Sequence, residues 1–120
     1  MRTFVYGTLK RGRGNHAVVA DLVAGVEPAT VPGFTLLDLG AFPAAIPCEG
    51  GWVRGEVLAF RDGDAERALG RLDRLEGHPT LYRREVVETT DGEAVWTYIW
   101  QGDEARGEWI GPEWPKNGDK

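Results

Sequence analysis

Glu76 ends a helix predicted over about Ala65 to Glu76, and it falls on the apolar side of that helix. With Ala65 at zero and about 100° per residue, Ala68, Leu69, Leu72 and Leu75 lie at about 300°, 40°, 340° and 280°. Glu76 lies at about 20°, inside the stripe, while Arg67, Arg71 and Arg74 lie at about 200°, 240° and 180° on the other side. An ionised carboxylate facing a core is costly, so its pKa should rise, and the partial negative charge of the helix C-terminus pushes the same way. A carboxyl so placed exchanges protons nearer neutral pH than an exposed one. The phase leaves a second outcome open, in which the helix end frays and Glu76 turns to water or pairs with Arg83 or Arg84.

The second stretch with chemical potential is the opening, FVYGTLKRGRGNH at 4–16. Phe4, Val5 and Tyr6 read as the end of a strand, and Gly7, Gly12 and Gly14 let the chain turn sharply and approach a neighbour closely. Asn15 reads as an N-cap, followed by a short helix over residues 16–23 with Val19, Leu22 and Val23 at helical spacing and Gly25 as its stop. A strand, a glycine loop and a helix in that order leave backbone N–H groups around a small concavity, which suits a carboxylate or a developing oxyanion. A plain connection is the alternative. Nucleotide fingerprints are missing: Gly12 is followed by Arg13 and Gly14 with no hydroxyl for a metal, and Gly12-Arg13-Gly14 is followed by His16 and Ala17 where a dinucleotide loop has its third glycine.

Other chemistries are excluded or poorly served. The chain has no serine, so a Ser/His/Asp triad is ruled out. His16 and His78 lie far apart without an acidic or thiol cluster, so no metal is expected. Cys48 sits between prolines and acid and reads as a small hydrophobe in a reducing compartment. A formal charge of −5 leaves no basic surplus for nucleic acid, and Lys10, Arg11 and Arg13 read as a solvated loop rim. No apolar run suggests a leader or a membrane span, so a cytoplasmic protein is expected.

The elements that must position these residues fit one domain of 120 residues, with 1–115 folded and a frayed tail from Lys116. Glu27 to Pro32 reads as a connector, residues 34–39 as a strand, and residues 41–47, with Pro43 and Pro47, as a sheet edge or an extended loop across the mouth of a site. Trp52 to Phe60 alternates as a strand. After the helix, Gly77 and Pro79 supply its stop. Arg84 to Glu88 and Ala94 to Gln101 form a hairpin around Asp91-Gly92, whose second strand is apolar on both faces. Such a sheet must curl or be covered on each side. A short helix or turn is expected at 103–109.

Three stretches combine into a resemblance. YGTLKRGRGNH at 6–16, LDLGAFPAAIP at 37–47 and LDRLEGHPTLYRR at 72–84 together resemble the γ-glutamylcyclotransferase-like family, which includes the plant AIG2-like proteins. The opening motif and the E-G-x-P-x-x-Y-x-R run are most similar to the γ-glutamylamine cyclotransferase branch. The resemblance covers about the first 100 residues in ordered pieces. It implies an α+β fold: a small barrel-like mixed sheet of about five to seven strands with two main helices. It also implies that Tyr6, Gly7, Thr8 and Leu9 wrap the glutamyl head through backbone groups, and that Glu76 is the acid/base residue. Tyr82 would line the pocket and Pro43 and Ala44 its wall.

The reaction so implied is a cyclisation in which the α-amine of a γ-glutamyl group attacks its own γ-carbonyl and expels an amine, giving 5-oxoproline. No cofactor is needed. The partner is a small γ-glutamyl molecule, and the chain is expected as a monomer or weak homodimer. One rival is a non-catalytic barrel binding a small anion or amino acid. Another is a cyclotransferase that removes a γ-glutamyl protecting group from a secondary metabolite.

Overall fold

The computed structural model describes residues 1–104 and 107–115. Its elements are β1 (Thr3–Val5), two 3₁₀ turns (Gly14–Val18 and Ala20–Leu22), β2 (Val23–Asp38), β3 (Pro43–Phe60), α1 (Ala65–Glu76), β4 (Tyr82–Glu88), β5 (Ala94–Trp100) and β6 (Glu108–Gly111). The six strands form one mixed sheet in the order β4-β5-β1-β3-β2-β6, curled into a half-barrel. β1 is its keystone. It pairs antiparallel with β3 through Thr3↔Leu58 to Val5↔Glu56, and parallel with β5 through Thr3↔Trp96.

Alternation along the strands divides the core in two. Val5, Leu37, Ala44, Leu58, Tyr98 and Trp100 face one side, where Ala68 and Leu72 of α1 and Val19 and Leu22 of the 3₁₀ turns cover them. Phe4, Leu36, Ala45, Val57, Val95 and Ile99 face the other, which closes as the sheet bends over itself. Both faces of β5 are thus buried, as its sequence requires.

Three local expectations are corrected, and of the two alternatives for residues 41–47 the sheet edge holds. In place of the helix expected at 16–23 stand the two 3₁₀ turns, so the described residues hold one α-helix where two were expected; the run is short, and β-branched Val18, Val19 and Val23 weaken helix growth. Its apolar spacing still works, since Val19 and Leu22 are buried. The supposed connector at 27–32 belongs to β2, which runs from 23 to 38 with register shifts at Val23/Gly25 and Pro32/Phe34. Gly33, at φ +90°, takes up the second irregularity. Residues 43–47 are laddered to β2 and are not loop, yet β1 reaches only residues 56–58 of β3. The proline run therefore has a free side, which is where proline can be tolerated. Finally, residues 108–111 form β6 on β2 in place of a helix or turn, while 105–106 and the expected frayed tail from Lys116 lie outside the described residues.

Candidate functional site

The end of α1 is tightly closed. Gly77 adopts the left-handed conformation (φ 65°, ψ 39°), and the N–H groups of Gly77 and His78 return to the carbonyls of Arg74 and Asp73. The helix keeps its phase to its last residue, and Glu76 stays half-buried on the inner side. The two arginines that could have drawn it out are engaged elsewhere. Arg84 grips Asp73 with Nε and Nη2 at 2.9 and 3.1 Å, and Arg83 pairs with Glu85 at 2.8 Å. Among the described residues no hydrogen bond or ion pair reaches the Glu76 carboxyl. Burial alone lifts its pKa from 4.5 to about 7.

Across from α1, β1 ends at Val5 and the chain enters the 6–16 loop. Asn15 ties this loop to itself: its backbone N–H donates to the Thr8 carbonyl and its side-chain amide to the Thr8 hydroxyl, both at 2.9 Å. Asn15 is a loop staple inside the first 3₁₀ turn, which begins at Gly14 without a side-chain cap. His16 Nδ1 lies 2.9 Å from the Leu9 carbonyl. The carbonyls of the loop are thus used, whereas no bond among the described residues takes the N–H of Gly7, Thr8 or Leu9. Gly7 is needed for a close approach: a Cβ there would lie 2.6 Å from the ring carbons of Pro43.

Between the loop, the β2–β3 turn and the end of α1 lies a cavity of about 290 Å³, near the lower end of small-molecule sites. Tyr6, Gly7, Thr8, Leu9, Pro43, Glu76 and Tyr82 all line it. Ala44 does not. It is fully buried in the core beside Leu37 and Val5, because its side chain leaves the strand on the face opposite to that of Pro43.

Three tyrosines surround Glu76, and each has its proton committed. Tyr6 donates to the Tyr98 carbonyl at 2.6 Å, Tyr82 to the Pro43 carbonyl at 2.7 Å, and Tyr98 to Asp73 Oδ1 at 2.6 Å. The Tyr6 oxygen already accepts the Ala45 N–H at 3.3 Å, and those of Tyr82 and Tyr98 can only accept further bonds. Burial raises all three phenol pKa values, and the charge of Glu76 adds to each rise. They stay neutral near pH 7.

Asn15, Phe42, Leu75, Leu81 and Tyr98 also line the cavity, and sequence reasoning assigned none of them to a site. Tyr98 could have been found, since it shares a strand face with Trp100 next to the helix; the others carry no local signal. Among the described residues no group of three or more His, Cys, Asp or Glu is placed to hold a metal, and no helix is long and apolar enough to cross a membrane.

The family model for "Gamma-glutamyl cyclotransferase, AIG2-like" matches residues 3–116. The chain belongs to this family. A Vibrio cholerae protein named as a gamma-glutamylcyclotransferase is 40% identical over 98 residues, spanning 82% of this chain and 80% of the relative. The gamma-glutamylaminecyclotransferase of Rattus norvegicus is 30% identical over 134 residues, spanning 97% and 87%. The crystal structure of an AIG2-like protein from Mus musculus superposes with a TM-score of 0.65 at 29% identity, covering 86% of this chain and 77% of that one. Family and relatives together support γ-glutamylcyclotransferase activity in the general sense and the half-barrel fold.

Proposed function

We propose that the chain cyclises the γ-glutamyl group of a small γ-glutamyl amine or amino acid, releasing 5-oxoproline and a free amine, with Glu76 as general acid/base. The observation that carries this reading is an unpartnered, half-buried carboxyl with a pKa of about 7, in the same cavity as the free N–H groups of residues 7–9.

The substrate's α-ammonium cannot attack while it holds its proton. Ionised Glu76 takes that proton, the freed amine forms a C–N bond to the γ-carbonyl carbon, and a five-membered lactam closes. The C–N bond to the leaving amine then breaks as Glu76 returns the proton to the departing nitrogen, and the second proton of the new ring nitrogen passes to Glu76 and from there to the released amine, which leaves as an ammonium. A group with a pKa near 7 suits these transfers. The phenol oxygens of Tyr82 and Tyr98 only accept, so they favour an ammonium over an anion. The loop N–H groups are the natural donors for the α-carboxylate or for the oxygen that gains charge during attack. Pocket walls that keep the chain curled supply orientation, worth roughly 7–11 kcal/mol in well-aligned intramolecular reactions.

Incubation with γ-glutamyl-ε-lysine, γ-glutamyl amino acids and glutathione, with 5-oxoproline as the readout, tests the reaction. Release from at least one, lost in Glu76→Gln, supports it. Binding without release from any would favour a non-catalytic barrel.

A further inference from the structure

Glu76 is the only charged side chain among the described residues that line the cavity. The rest of the wall is apolar, aromatic or neutral. Three of its large apolar side chains are also open to solvent: Phe42 at 37%, Leu75 at 39% and Leu81 at 42% exposure. Since they both line the cavity and meet water, they form its rim. They come from three different places: the β2–β3 turn, the last turn of α1 and the segment before β4. Single exposed apolar residues are ordinary on a protein surface, but their convergence on one opening points to a ligand.

The rim is fixed in place. The Phe42 ring meets Tyr82 edge-on at 6.4 Å between centroids. Leu81 donates its N–H to the Gly77 carbonyl and accepts from the Gln101 N–H, both at 2.9 Å.

We infer that the amine released is uncharged and apolar apart from its reacting nitrogen, an alkyl or arylalkyl amine without a carboxylate or a second ammonium. This rests on the cyclotransferase reading above and deepens it. The γ-glutamyl head brings its own ammonium and carboxylate to the inner end, where Glu76, the phenol oxygens and the loop N–H groups lie. The other side of the scissile bond then points to the rim. Among the described residues that line the cavity a carboxylate tail would meet no cation, and it would feel the repulsion of Glu76. A second ammonium would find only Glu76, which is already engaged with the reacting nitrogen. An unpaired charge among apolar groups is costly, whereas each methylene covered there is favourable.

Three substrates with one head and matched four-carbon tails test this: γ-glutamyl-n-butylamide, γ-glutamyl-4-aminobutyrate and γ-glutamyl-1,4-diaminobutane, with 5-oxoproline release as the readout. The butylamide should exceed both charged-tail substrates in kcat/KM by roughly tenfold or more. Leu81→Lys should move the ratio of carboxylate-tailed substrate to butylamide upward by about fivefold, the worth of one exposed ion pair. If either charged tail is turned over as well as the butylamide, or if Leu81→Lys leaves the ratio unchanged, the inference is wrong while the cyclotransferase reading stands. If none of the three yields 5-oxoproline but another γ-glutamyl compound does, the inference again fails alone. If no γ-glutamyl compound yields 5-oxoproline, both fail together.

Discussion

Asp73 and Glu76 stand one turn apart on α1 and are pushed in opposite directions. Burial would raise Asp73, but hydrogen bonds from Arg84 and Tyr98 outweigh it and hold the carboxyl below its ordinary range. Glu76 has burial and no such partner, and it rises to about 7. One carboxylate is fixed as a charge and the other is left able to change its charge, which is how environments assign separate roles to like groups.

With Glu76 as the proposed proton carrier, its replacement should stop turnover and spare the fold. Glu76→Gln is expected to lower kcat for 5-oxoproline release by at least ~100-fold, the usual worth of a general acid/base. Its thermal unfolding midpoint should be no lower than that of the parent chain. An active variant with intact substrate binding would remove Glu76 from the chemistry.

The pH profile should carry the same signature. With Glu76 as the proposed base, turnover needs its ionised form, so kcat/KM should fall about tenfold per unit as pH drops below about 7. Stability should show the complementary trend. Because the folded pKa is raised above 4.5, the unfolded chain releases this proton first, so the fold loses stability as pH rises from 4.5 through about 7. The full loss is on the order of 3 kcal/mol, at about 1.4 kcal/mol per pKa unit. Glu76→Gln lacks that dependence, so the gap in urea midpoint between variant and parent should widen from pH 5 to pH 8. A constant gap would mean that the carboxyl is solvated.

The Asp73 cluster should behave as support for the cavity wall. Tyr98→Phe removes one bond to Asp73 and is expected to cost about 1–2 kcal/mol in denaturant unfolding. Arg84→Met leaves Asp73 without its bidentate partner. The pair is partly solvated, so the expected loss is on the order of 2–3 kcal/mol, below that of a fully buried pair. If Arg84→Met is neutral at pH 7, the cluster does not hold the wall.

Gly7→Ala tests the close approach of loop and hairpin. The added methyl would meet the Pro43 ring at 2.6 Å and must displace it. A loss of about 1–3 kcal/mol is expected, as for overpacking in a core. KM for a γ-glutamyl substrate should rise, because Pro43 lines the cavity. An unaltered KM would show that the hairpin tip does not shape the site.

Much of this arrangement was legible before any coordinates. The extent of α1, its Gly77 stop and the inward phase of Glu76 follow from helical periodicity and capping, both local rules. The β4–β5 hairpin follows from Asp91-Gly92 and strict alternation. What could not be read is set by distant pairing. Residues 27–32 carry two prolines and look like a connector until their partners at 52–57 are known. Asn15 looks like a cap until the Thr8 carbonyl is found beside it. Ala44 and Pro43 are neighbours in sequence, and only the pleat decides which of them meets the cavity.

β1 lies between β3 and β5 and leads directly into the loop that bears the free N–H groups. Its partners are made some fifty and ninety residues later, at 56–58 and 96. As the chain emerges from the ribosome, its first strand has no neighbour until residues 56–58 follow, and only one until residue 96 does. A polypeptide halted before β5 leaves that strand half-paired and the cavity wall without Tyr98.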